Sequence, residues 1–240
     1  MVNVMTLYLV SNNLVIDNIL YETDVGLEEK RVNRPLSIEG EKASVKLVKK
    51  IDASVVYSSS YASSIATAKY YASYKNVDIN INSFLNDLKI GDMGRRNIKM
   101  LRFMQERDFD FKFNHGESLN EVNKRMSIAV DRIVKKNGNK NMVIFTQKSA
   151  ILGFLLDKLD KGYNLDDRLV LSFNERVIID DNLSDVDIIK LELEKGKVIN
   201  CEVIGCEIWF RRKSKYYDKC KTCSFDERCY KWIIWSWTQC

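Results

Sequence analysis

Hydrophobic and polar positions follow two periods along the chain. Leu7-Tyr8-Leu9-Val10 is a continuous apolar run that breaks abruptly into Ser11-Asn12-Asn13. Such a run predicts a fully buried central strand, over residues 5–10, ending in a loop. Ligands of open α/β sheets sit beyond the carboxyl ends of the strands, so Ser11, Asn12 and Asn13 are expected to line a pocket floor. Residues 54–57 and 141–146 read as two further core strands. Residues 188–193 and 198–204, joined through Lys195-Gly196, read as a hairpin.

Helical spacing appears between these runs. Ser37 is placed to cap a helix whose apolar face is Leu47, Val48 and Ile51, with Glu39 and Glu41 in its first turn. A second helix runs from the serine-rich stretch after Tyr57 to about Ser73. Ser118 and Glu121 fit a capping box, followed by a stripe of Leu119, Val122, Met126, Val130 and Ile133. Ile151, Leu152, Leu155, Leu156 and Leu159 form a strongly apolar helix. Residues 12–33 are polar, with few periodic positions, and are expected to be a loop over the pocket. The alternation predicts a three-layer α/β/α sandwich with a mostly parallel sheet.

Composition adds little to the core and much to the tail. The chain has 240 residues, 45% of them hydrophobic, and a net charge of +5, enough for one large α/β domain. No signal-peptide pattern and no apolar run of membrane-spanning length is present, so a cytoplasmic protein without a membrane span is expected. All six cysteines fall at Cys201, Cys206, Cys220, Cys223, Cys229 and Cys240, and the core is expected to fold without disulfides. The composition change places a boundary between a domain over 1–205 and a basic tail over 206–240. That tail carries eight Lys or Arg against four Asp or Glu, and all four tryptophans.

Six segments in order resemble the histidine phosphatase (phosphoglycerate mutase-like) superfamily. Leu7-Tyr8-Leu9-Val10-Ser11-Asn12-Asn13 stands where that family reads L-Y-L-V-R-H-G. Pro35-Leu36-Ser37 matches its P-L-T helix start, and Tyr57-Ser58-Ser59 with Thr67-Ala68 matches Y-S-S…T-A. Gly116-Glu117-Ser118 with Glu121-Val122 matches G-E-S-x-x-E-V. Asn141 to Leu152 matches V-V-S-H-G-x-x-I, and Asn182-Leu183-Ser184 resembles N-x-S.

The resemblance implies a phosphoryl-transfer pocket, and this chain departs from it at each chemical position. Ser11 and Ser63 stand at the family's arginines, and Asn12 and Gln147 at its two histidines. Asp87 stands at its general acid, one methylene shorter. An amide nitrogen is not nucleophilic and does not titrate, and a serine cannot replace the bidentate fork of an arginine. A non-catalytic relative, a pseudoenzyme acting as a binding or regulatory module, is therefore expected, with no cofactor in the core. The alternative is a phosphatase or phosphomutase with a non-standard active site. An ordinary surface aspartate is the commoner reading of Asp87, and solvated side chains that of Arg95 and Arg96. His115, the single histidine, is not expected to do chemistry.

For the tail, Cys220-Lys221-Thr222-Cys223 is a C-x-x-C pair that would need two further thiolates to hold zinc, and Cys206 and Cys229 are the nearest. Disulfides and free thiols are the competing states. The expected role is docking on a protein partner or self-association through the tryptophans; nucleic-acid binding is disfavoured for want of a recognised motif.

Overall fold

The computed structural model describes residues 4–11, 14–16, 26–180 and 188–205. Nine strands and six helices occur among them, in the order β1 (Val4–Ser11), α1 (Leu27–Val32), α2 (Ile38–Leu47), β2 (Val55–Ser58), α3 (Ala62–Lys75), β3 (Ile79–Ile81), α4 (Ile98–Arg107), α5 (Leu119–Asn137), β4 (Met142–Thr146), α6 (Lys148–Leu155), β5 (Asp160–Tyr163), β6 (Leu169–Phe173), β7 (Arg176–Ile179), β8 (Ile188–Glu194) and β9 (Lys197–Ile204).

Six strands form the main sheet in the order β3-β2-β4-β1-β8-β9. β3, β2, β4 and β1 run parallel, while β8 and β9 are antiparallel to their neighbours. The strand period of two then sorts the side chains. Leu7 and Leu9 of β1 and Met142 and Ile144 of β4 join Leu119, Val122 and Met126 of α5 and Ile151 of α6 in one core cluster. The intervening residues Tyr8, Val10, Val143 and Phe145 are buried on the opposite face, where the Tyr71 ring of α3 lies 6.4 Å from that of Phe145. Helices thus cover both faces, and the expected three layers with a mostly parallel sheet are present.

Local signals set the helix ends. The Ser37 hydroxyl accepts from Gly40 N at 3.1 Å. Ser118 Oγ accepts from Glu121 N at 3.2 Å while Glu121 Oε2 accepts from Ser118 N at 3.0 Å, so the capping box is complete. Lys112 also pairs with Glu121, and these contacts hold the Glu121 carboxyl below its ordinary value. A carboxylate lowered in the folded state gives stability that is complete above the ordinary carboxylate range and lost as pH falls. Thermal melts of the wild type and Glu121→Gln are therefore expected to differ by less than about 1 kcal/mol at neutral pH, since the group is half exposed. That gap should close on acidification; a gap that widens in acid would refute the assignment.

The structure corrects the sequence reading in several places. Part of the expected 12–33 loop is helix α1. Three features had no sequence assignment: the edge strand β3 of the main sheet, α4, capped by Asn97 Oδ1 accepting from Met100 N at 2.9 Å, and a second, antiparallel sheet β5-β6-β7. Leu169, Leu171, Ile178 and Ile179 of that small sheet extend the α5/α6-side core. Arg168 joins it to α4 through a bidentate pair with Glu106, at 2.7 Å on each oxygen. The last apolar helix is also shorter than expected: α6 ends at Leu155, although Leu156 and Leu159 remain buried.

The boundary at residue 206, the cysteine set Cys206, Cys220, Cys223 and Cys229, and the tryptophan segment lie outside the described residues. So does the N-x-S element near Asn182. Cys201 is buried beside Glu202, and burial pushes its thiol up to about 12, which leaves it an inert thiol rather than a ligand. Among the described residues no cluster of three metal-ligating side chains occurs. None of the described helices is long and apolar enough to cross a membrane.

Candidate functional site

Parallel pairing brings three strand ends level. Ser11 is opposite Thr146 across β1 and β4, and Ser58 is opposite Phe145 across β2 and β4. Ser59 extends the last register by donating its N–H to Phe145 O at 2.9 Å. Ser11, Ser58, Ser59, Thr146 and Gln147 therefore share one corner of the sheet, all at most 5% exposed. Ser64 reaches the same corner from the first turn of α3, which also carries Ser63.

The corner is neutral and bonded to itself. Gln147 Nε2 donates to Ser64 Oγ at 2.7 Å, and Gln147 Oε1 accepts from Ser59 Oγ at 3.3 Å. Thr146 Oγ1 donates to the Leu85 carbonyl. The amide of Gln147 is thus fixed with a defined orientation against α3. A carboxamide held in this way does not titrate. Ser63, one residue before Ser64 on α3, is buried at 4% exposure. Asn12 lies outside the described residues.

Asp87 is brought to this corner by the loop that Thr146 anchors. The neighbouring Asn86 Oδ1 accepts from Ser60 N at 2.8 Å and from Ser60 Oγ at 2.9 Å, tying that loop to the end of β2. From the other side Arg125 of α5 donates to Phe84 O at 2.7 Å and to Asn86 O at 3.0 Å, while pairing Glu117 through Nε and Nη2 at 2.9 Å each. The surface-aspartate expectation is corrected here: Asp87 is buried, 8% exposed, and forms an ion pair with Arg31. Its second oxygen accepts from Leu88 N at 2.9 Å.

Arg31 is the group that sequence reasoning missed. It comes from α1, donates to Leu88 O at 3.0 Å, and takes Glu28 one turn back at 2.9 Å. Burial pushes the Asp87 carboxyl up, against the pull of Arg31 and, more weakly, Arg102. Despite its own burial, the Arg31 guanidinium is held more firmly protonated by the carboxylates of Asp87 and Glu28. Burial likewise raises the Tyr61 phenol, which therefore stays neutral beside the pair. The one sequence signal for Arg31 was the Glu28–Arg31 spacing of a short charged helix.

Two expectations about charge are settled by position. His115, at φ 60°, projects into solvent with a side chain 83% exposed and lies 3.7 Å from Asp92. Arg96 is exposed but held, its Nε donating to Met93 O at 3.1 Å and its guanidinium lying 4.3 Å from the Phe113 ring centre.

A family model of the histidine phosphatase superfamily (branch 1) matches residues 22–190. The chain belongs to the histidine phosphatase superfamily. Solved structures with the superfamily fold agree at low sequence identity. A phosphoglycerate mutase from Bacillus anthracis superposes with a TM-score of 0.58 at 15% identity, covering 89% of this chain and 98% of its own. A putative alpha-ribazole-5'-P phosphatase from Escherichia coli gives 0.57 at 16% identity, covering 84% and 96%. The mycobacterial glucosyl-3-phosphoglycerate phosphatase gives 0.55 at 12%, covering 85% and 97%. At these identities the likeness is one of fold. A comparison with curated protein sequences found no significant match.

Proposed function

We propose that this member of the histidine phosphatase superfamily is a pseudophosphatase, a non-catalytic binding or regulatory module. The observation that carries the reading is Gln147. Its carboxamide, standing at a catalytic histidine position, is buried and bonded to Ser64 and Ser59 of its own chain. The remaining matched groups support it. Serines at 11 and 63 supply no positive charge for a phosphate, and Asn12 supplies no nucleophile. Asp87, the matched proton donor, spends its carboxylate on Arg31. When a catalytic unit loses one member, most of its rate is lost; here every matched position but Asp87 has lost its function.

The test is hydrolysis of a panel of generic phosphoesters by the wild type and by Asn12→Ala and Asp87→Asn variants. Equal background rates in all three are expected. Turnover in the wild type that falls about a hundredfold or more in either variant, the usual weight of a general acid or base, would mean an enzyme with a non-standard active site instead.

A further inference from the structure

We infer that the exposed face of α4 is a docking surface for an acidic segment of a partner protein. Residues 93–105 hold four cations, Arg95, Arg96, Lys99 and Arg102, and no carboxylate. All four are exposed, and none makes an ion pair among the described residues. The next acid along, Glu106, is turned inward and taken by Arg168. Met100 and Phe103 are exposed on the same face, at 43% and 46%. Charged and apolar side chains therefore occur together beside the Asp87 loop, Lys99, Met100, Arg102 and Phe103 on α4 and Arg95 and Arg96 in the turn that precedes it.

The helix is a rigid platform. Leu101, Gln105 and Glu106 are buried on its inner side. Gln105 Nε2 donates to Phe111 O at 3.1 Å and Glu117 O at 2.9 Å. Little ordering would be needed on binding, which favours affinity.

Three anionic partners could satisfy the charge, and the arrangement favours protein. A helix lying on a membrane separates a basic side from an apolar side. Here Lys99, Met100, Arg102 and Phe103 are interleaved, and the apolar side proper is buried in the domain. A single-stranded nucleic acid stacks successive bases on several aromatic rings. Phe103 is the one aromatic of α4, and Arg107 already lies 3.5 Å from its ring centre. Arginine, methionine and phenylalanine together are the composition enriched at protein interfaces, and complementary charge sets the specificity and speed of such docking. The inference does not depend on whether the sheet-end corner turns over phosphoesters.

Fluorescence anisotropy of a labelled synthetic peptide of alternating glutamate and leucine tests it on the full chain. The peptide is expected to bind, more weakly as salt rises. An Arg95→Ser/Lys99→Ser/Arg102→Ser variant should lose about tenfold or more in affinity. A Lys42→Ser/Lys46→Ser/Lys49→Ser variant removes the same charge from the exposed side of α2 and the turn that follows it, and should bind like the wild type. Unfolding midpoints check both variants; if the first is shifted, the single Arg102→Glu carries the comparison. No peptide binding, equal loss in the two triple variants, or tighter binding of phosphatidylglycerol vesicles or of oligo-dT than of the peptide would each overturn the inference.

Discussion

Arg31→Met is expected to destabilise the domain by about 3–5 kcal/mol, the cost of leaving a buried carboxylate without its counter-ion. The side chains of Arg31 and Asp87 are 13% and 10% exposed, so solvent compensates for little. The loss should grow with pH. Burial holds the Asp87 carboxyl above its ordinary value, so without Arg31 the acid form is tolerated and the charged form is penalised. Chemical denaturation of the single variant at several pH values reads the effect. The double variant Arg31→Met/Asp87→Leu is expected to recover most of it, because removing both partners of a buried pair is often nearly neutral. A double variant as unstable as the single one would mean that Arg31 acts through Leu88 and Glu28 rather than through Asp87.

The second large effect is expected at Gly91. This residue turns the Asp87 loop back toward the start of α5 with φ +73°, and a Cβ there would stand 2.4 Å from both Asn114 O and Gly116 N. Both contacts are backbone, so neither can swing away. Gly91→Ala is expected to cost about 2–4 kcal/mol, adding the left-handed conformation of an L residue to the overpacking. Gly94 supplies the control: its φ is +57° and nothing lies within 4 Å of its Cβ position. Gly94→Ala should therefore cost only the conformational part, about 1 kcal/mol. Equal midpoint shifts would show that the close approach at Gly91 does not limit the loop.

The main sheet was legible because its signals are local. β1, β2 and β4 are short apolar runs with abrupt polar ends, and the β8–β9 hairpin declares itself through Lys195 and Gly196, at φ 51° and 81°. The small sheet hides for the complementary reason. Its β6–β7 turn is Asn174-Glu175, at φ 48° and 67°, and a glutamate in the second place carries none of the glycine signal of such turns. β5 is exposed along its whole length and has no buried side chains to alternate. α1 is six residues long, too short for a helical period to be read.

At the site, Ser11, Ser63 and Gln147 could be placed because each sits at a strand end or helix start that the periodicity marks. The Arg31–Asp87 pair could not. It joins residues 56 apart through tertiary packing, and no spacing rule connects them. The buried state of Asp87 follows from that pairing and was missed with it.

The position of β1 has a consequence for how the chain is made. Leu7 sits between Met142 of β4 and Leu191 of β8, so the first strand has no neighbour until more than 130 further residues have been made. At ribosomal speeds of about 5–20 residues per second, the segment emerges roughly ten seconds or more before either partner. During that interval its most apolar stretch is an unpaired template for other chains. Biogenesis of this fold therefore leans on whatever shields this strand until β4 has emerged, and crowded overexpression would trap the polypeptide before its architecture can close.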